Sequence, residues 1–194
     1  MNILVCGGAA SGKSEFAEKI AVDLKKESEG GRLFYLATMD KNSGGDTKER
    51  IAKHKNLRAG KEFRTIELCL SDSKIGLVFS DDDGKFFFPE DFCQKNATIL
   101  LEDMGNLVAR VVFSFSQADY FKIISDFISV LERKSENLVV VTNEIFLEEL
   151  RLEDEFMRSY FDVLAKVNAF FARTSKKVVQ VVAGIPLELS CESS

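Results

Sequence analysis

The sequence predicts an α/β fold, a doubly wound and mostly parallel sheet, from three observations. A short apolar run, Asn2 to Cys6, stops at a glycine-rich turn and is followed at once by a helical period. Further runs at Leu33 to Ala37, Ala97 to Leu101, Leu138 to Val141 and Val178 to Val182 are continuously apolar, as strands covered on both faces are. Amphipathic helical segments lie between them, which is the alternation that builds parallel sheets.

Taken in order, residues 14 to 26 place Phe16, Ile20, Ala21 and Leu24 on one helical face and Glu15, Glu18, Lys19, Asp23, Lys25 and Lys26 elsewhere. The Glu29-Gly30-Gly31 break precedes the strand at Leu33 to Ala37. Residues 39 to 46 read as a polar loop, 47 to 58 as a short basic helix, and Phe63 to Leu68, which alternates, as a strand. The stretch 80 to 91, an acidic turn beside Phe86, Phe87 and Phe88, reads as an inserted loop or hairpin. Residues 118 to 134 carry helical periodicity, as do Glu153 to Arg173 through Phe156, Tyr160, Val163, Leu164, Val167 and Phe171. One domain over residues 1 to 189 is expected, with a frayed tail from Ser190.

Composition excludes several functions. The chain of 194 residues has a single histidine, so zinc sites that need two or three imidazoles cannot be built within it. Cys6, Cys69, Cys93 and Cys191 have no C-x-x-C spacing, which removes the four-cysteine alternative. A net charge of −5 argues against a protein that holds nucleic acid by neutralising phosphates. No apolar run approaches the roughly 18 residues of a membrane helix. With no leader-like segment and scattered cysteines, a reducing, cytoplasmic location is expected.

The most specific signal is Gly7-Gly8-Ala9-Ala10-Ser11-Gly12-Lys13-Ser14, which fits G-x-x-x-x-G-K-[ST] between a strand and a helix. Glycines there let successive backbone N–H groups turn around phosphate oxygens, and the helix start adds the positive end of its dipole. Lys13 would reach the β and γ phosphates, and the Ser14 hydroxyl would complete a magnesium shell. A P-loop works with an acidic residue at the end of a nearby strand, and Glu102 and Asp103 follow Ile99-Leu100-Leu101. Glu102 is the expected magnesium or nucleotide ligand, and Asp103 the expected helix N-cap.

His54 lies in Arg50-Ile51-Ala52-Lys53-His54-Lys55-Asn56-Leu57-Arg58. On a helix, Arg50, His54 and Arg58 share one face, a positive stripe suited to a phosphate-bearing ligand or simply to solvent. The neighbouring cations favour the neutral, nucleophilic imidazole at pH 7.

Several segments together resemble the bifunctional adenosylcobinamide kinase / adenosylcobinamide-phosphate guanylyltransferase family of cobalamin biosynthesis. They are the opening MNILVCGGAASGKSEFAE, Tyr35-Leu36-Ala37-Thr38, Arg50-Ile51 with His54, Arg64-Thr65-Ile66-Glu67, Ile99-Leu100-Leu101-Glu102, Val141-Thr142-Asn143-Glu144, Asn168, and Val182-Ala183-Gly184-Ile185-Pro186-Leu187. The resemblance implies a P-loop NTPase with a RecA-like sheet, commonly a homotrimer. It implies ATP and GTP as substrates with Mg2+, and a corrinoid acceptor. His54 would be the guanylylated nucleophile, and Gly7 to Ser14 would cradle phosphates. Ala37, Thr38 and Met39, then Lys55, Asn56, Leu57 and Arg58, then Glu67 and Glu102, would contact the guanine nucleotide.

Where the family has a glycine-rich stretch after the Asn-Glu pair, this chain reads Ile145-Phe146-Leu147-Glu148-Glu149-Leu150-Arg151, without glycine or proline. That departure motivates a second reading, a P-loop kinase of another hydroxylated metabolite without guanylyl transfer. The phenylalanines of the insert motivate a third, a non-catalytic GTP-binding module that presents them to a partner.

Overall fold

The computed structural model describes residues 1–39, 52, 56, 58–71, 74–79, 86–87, 96–116, 119–144 and 155–189. Among the described residues, nine strands form one sheet in the order β5-β4-β3-β2-β6-β7-β1-β8-β9. They are β1 (Asn2–Gly7), β2 (Arg32–Ala37), β3 (Arg64–Ser71), β4 (Lys74–Phe79), β5 (Phe86–Phe87), β6 (Ala97–Glu102), β7 (Asn137–Asn143), β8 (Lys177–Val182) and β9 (Ile185–Leu189). The six strands from β3 to β8 in that order are parallel; β4, β5 and β9 are antiparallel additions at the two edges.

Among the described residues, four continuous helices cover the sheet: α1 (Lys13–Glu27), α2 (Met104–Ser114), α3 (Tyr120–Lys134) and α4 (Glu155–Thr174). The core is split accordingly. On one face, Ala17, Ala21 and Leu24 of α1 close over Ile3, Val5, Tyr35, Leu100, Val139 and Val141. On the other, α2, α3 and α4 bury Leu107, Ile128 and Leu164 against Leu4, Phe34, Leu101 and Val140. The central strands are thus apolar on both sides, and their sequences run apolar without alternation.

The order β2-β6-β7-β1-β8 puts one strand, β7, between β1 and β6. This is the RecA-like arrangement, in which the strand entering the P-loop and the strand ending in the acidic residue flank a third. The chain leaves β1 toward β2, three positions away, and returns to β8 on the other side, so β1 is a topological switch point. Ligands of such sheets bind beyond the carboxyl ends of the strands at that point.

Several expectations are corrected, while the helix expected after the Asp103 cap is present as α2, with Leu107, Val108, Val111 and Val112 buried and Asn106 and Arg110 as its polar positions. Strands β4 and β9 are additions to the sequence reading, β9 because Pro186 interrupts it, a residue that edge strands tolerate. Glu18, expected on the solvent face of the first helix, is fully buried. Most of the 80 to 91 insert lies outside the described residues, but Phe86–Phe87 pairs with β4, as a hairpin would. The stretch 145 to 151 and the tail from Ser190 also lie outside them.

Leu107 is fully buried at the centre of the α2 face. Leu107→Ala should cost about 2–5 kcal/mol in urea unfolding with an unchanged m-value; a loss under about 1 kcal/mol would show that α2 is not part of the cooperative core.

Candidate active site

The loop from Gly7 to Gly12 is held open by glycine chemistry at two points. A Cβ on Gly7 would meet the Val181 carbonyl oxygen at 2.5 Å and Ser11 Oγ at 2.6 Å, so only glycine lets the chain turn there. Gly12 has φ 90° and caps α1 without a side-chain hydrogen bond. No side chain therefore competes at the cap for the N–H groups of the first turn, which keep their donors and the helix dipole for an anion. The loop is tied down at both ends: Glu144 N–H donates to the Gly7 carbonyl (3.1 Å), and Gly184 N–H to the Ser11 carbonyl (2.8 Å). Lys13 is buried, and its Nζ donates to the Gly8 carbonyl at 2.9 Å, across the mouth of the loop.

Facing the loop is Glu102, at the end of β6 and 3% exposed. Ser14 Oγ donates to Glu102 Oε1 at 2.5 Å. Burial pushes the Glu102 carboxyl up to about 7; the Ser14 hydroxyl pulls it down, Asp103 and Glu18 push it up further, and Lys13 opposes them. A hydroxyl and a carboxylate in contact are hard oxygen donors, and they suit a magnesium ion, which takes one or two protein oxygens and completes its shell from phosphates and water. Among the described residues no group of three or more His, Cys, Asp or Glu is placed to hold a metal by itself.

The sheet register aligns further candidates. Ala37 is in register with Glu67 on one side and with Glu102 on the other, so these three side chains leave the sheet on one face, in a row at its carboxyl edge. Ala37 packs with the α1 layer, which sets that face as the side of the P-loop helix. Thr38, expected as a nucleotide contact, is fully buried with its hydroxyl committed. It donates to the Glu102 carbonyl (2.6 Å) and accepts from Asp103 N–H (2.7 Å), fixing the strand end that carries the acid. Arg110 of α2 donates to the carbonyls of Thr38 and Leu68, tying the end of β2 to the middle of β3.

Asp103 caps α2, with Oδ1 accepting from Asn106 N–H at 2.6 Å and Oδ2 from Asn143 Nδ2 at 3.1 Å. Tyr160 lies beside it, its phenol pushed up to about 12 by burial and by Asp103. Asn168 accepts from the Thr142 hydroxyl at 3.0 Å.

Of the basic segment, Ala52, Asn56 and Arg58 are helical. His54, Lys55 and Leu57 lie outside the described residues. Arg58 stacks its guanidinium 3.4 Å from the centre of the Tyr35 ring, and Lys61 Nζ pairs with Glu18 at 2.7 Å. Sequence reasoning gives no such role to the Tyr35 ring, Lys61 or Glu18. The available signal is that Glu18 follows Ser14 by four residues, one turn along the same helix face.

A RecA-like sheet with an open P-loop and a buried acid across from it defines a nucleoside-triphosphate-binding protein of the P-loop class. The sequence model of the family described as cobinamide kinase / cobinamide phosphate guanyltransferase matches residues 3–189, and the chain belongs to that family. It is 29% identical over 203 residues to the bifunctional adenosylcobalamin biosynthesis protein CobU of Salmonella typhimurium, covering 97% of this chain and 99% of that one. The protein of the same name in Escherichia coli is 26% identical over 202 residues, with the same coverage. Among solved structures, the flagellar accessory protein FlaH of Methanocaldococcus jannaschii is similar with a TM-score of 0.44 and 13% identity, over 95% of this chain and 74% of that one. The fold assignment rests on the strand order itself.

Thr38→Val keeps the shape but leaves the Asp103 N–H without its acceptor. Stability in urea should fall by about 1–3 kcal/mol, the cost of a buried unpaired donor. A variant of wild-type stability that only binds nucleotide less well would show that the hydroxyl serves the ligand and not the strand end.

Proposed function

We propose that this chain performs both activities by which its family is described, phosphorylating adenosylcobinamide and then transferring GMP from GTP to the product, with His54 as the GMP carrier. The observation that carries this reading is the Ser14–Glu102 contact at 2.5 Å, which joins the P-loop helix to the acidic strand end in the form a nucleotide–magnesium complex requires.

In the kinase step the substrate hydroxyl oxygen attacks the γ-phosphorus, the bond to the β–γ bridging oxygen breaks, and the hydroxyl proton is released as the nucleoside diphosphate leaves. The protein's task is positioning and charge stabilisation: Gly8 to Ser14 surround the phosphates, and Lys13 exchanges its bond to the Gly8 carbonyl for phosphate oxygens. Ser14 and Glu102 would hold magnesium, which when bound supplies positive charge against the β and γ phosphates. In the second step a neutral nitrogen of His54 attacks the α-phosphorus of GTP, pyrophosphate leaves, and a phosphoramidate remains. An oxygen of the corrinoid phosphate then displaces the imidazole, giving the GDP-linked product and restoring the histidine. Ala37 to Met39, Lys55 to Arg58 and Glu67 are the further nucleotide contacts of this reading; the register of Ala37 between Glu67 and Glu102 supports these three acting at one place.

The reading includes a cytoplasmic homo-oligomer. The exposed row Val182 (48%), Ile185 (63%), Leu187 (47%) and Leu189 (46%) along the β8–β9 edge supports an assembly of copies. Light scattering should give the mass of three chains, and a monomer at micromolar concentration would remove this part of the reading.

GTP labelled at the α-phosphate should leave acid-labile, alkali-stable label on His54, lost in His54→Ala. Lys13→Ala should reduce both this labelling and corrinoid phosphorylation by roughly 100-fold or more, the scale of losing one charge-stabilising donor. Equal labelling of wild type and His54→Ala would refute the carrier role, and robust kinase turnover beside it would leave a P-loop kinase without guanylyl transfer.

A further inference from the structure

Glu18 is a carboxylate with no exposed surface, in the middle of a helix whose neighbouring buried positions are Ala17, Ala21 and Leu24. Its Oε2 accepts from Lys61 Nζ at 2.7 Å; among the described residues, its Oε1 has no hydrogen-bond partner. Stability alone does not account for a buried carboxylate held by a half-buried lysine, because such pairs are generally no better than apolar side chains of the same size. What such a pair does provide is a unique location for the element that brings the second charge.

Here that element is the turn after the basic segment. Residues 58 to 63 are fixed on α1 and β2 by four contacts. Arg58 stacks on Tyr35, Lys61 reaches Glu18, Glu62 pairs with Lys25 at 2.7 Å, and Phe63 packs edge-on against Tyr35 with ring centres 6.2 Å apart. The turn itself is set by two left-handed residues, Gly60 (φ 77°) and Glu62 (φ 61°). Of the two charge pairs, Lys25–Glu62 has its carboxylate 74% exposed and screened by solvent; in Lys61–Glu18 the carboxylate is fully buried and the lysine 32% exposed. Glu18 stands one helical turn after Ser14, within electrostatic range of Glu102. One side chain therefore links the helix that opens at the phosphate loop to a turn that begins, in sequence, four residues after His54.

We propose that Glu18 is a positioning residue for guanylyl transfer, acting through Lys61 to fix on the P-loop helix the 58 to 63 turn, which follows His54 in the sequence. The proposal rests on the reading of His54 as the GMP carrier. In-line attack at the α-phosphorus tolerates little misplacement, and a shift near 1 Å costs on the order of 100-fold in rate. The kinase step does not use the histidine, so the two activities should respond differently.

The test follows labelling of the full chain by α-labelled GTP at saturating nucleotide, beside phosphorylation of adenosylcobinamide. Lys61→Met should slow labelling roughly tenfold or more through its maximal rate rather than its KM, with kinase turnover within about threefold of wild type. Lys61→Arg, which keeps a cation at the same place, should restore labelling to within about threefold. Glu18→Gln should match Lys61→Met, and the double variant should be no slower than the slower single one, because both break one contact. Should a single variant fail to fold, the double variant, which buries no unpaired charge, is read against wild type for the same split between activities. Wild-type labelling in Lys61→Met, a parallel fall of both activities, or multiplicative losses in the double variant would overturn the proposal while leaving the carrier role intact. Absence of label on His54 in the wild-type chain would overturn the carrier role, and this proposal with it.

Discussion

The hydrogen bond from Ser14 to Glu102 spans the width of a strand, since β7 lies between the strands that deliver the two residues. Strand pairing alone does not bring them together, so the contact depends on how each strand end is finished. On the β1 side, the loop is tied to Glu144 and Gly184. On the β6 side, Thr38 holds the Glu102 carbonyl and the Asp103 N–H, Asp103 caps α2, and Arg110 on that helix reaches back to the carbonyl of Thr38. Each of these bonds uses up a polar group that the fold would otherwise leave buried, and each also fixes a coordinate of the site.

The two faces of the sheet are covered unequally. Three helices close one side, while α1 is, among the described residues, the one helix with buried residues in the core of the other. Phe63 and the turn before β3 extend that thinner layer over Tyr35. The phosphate loop, the row from Glu67 to Glu102 and the turn after the basic segment are therefore on the α1 face of the sheet.

What the sequence discloses follows from where the physics is local. A P-loop is a contiguous string whose glycines, lysine and hydroxyl act within eight residues, and strands buried on both faces are contiguous too. Asp103 is legible as a cap because capping reaches only three residues along the chain. The helix that this cap opens, α2, shows its period in the same string, with Asn106, Arg110 and Ser114 four residues apart and Leu107, Val108, Val111 and Val112 on the buried side. Glu18 is hidden: one carboxylate in an amphipathic helix looks like all the others, and its burial depends on a lysine 43 positions later. The bond of the Thr38 hydroxyl is hidden in the same way, since its backbone partner is 64 positions away.

The same distinction applies to the phosphate loop. A Cβ on Gly12 would lie 3.3 Å from Gly184 Cα, and Gly184, with φ 81°, donates its N–H to Ser11. The nucleotide cradle is thus a composite of two glycine turns, separated by most of the chain. A pattern search sees only the first, while the second, in the β8–β9 hairpin, limits what the first can become. A truncation ahead of that hairpin would leave the whole P-loop string in place and remove the wall it leans on.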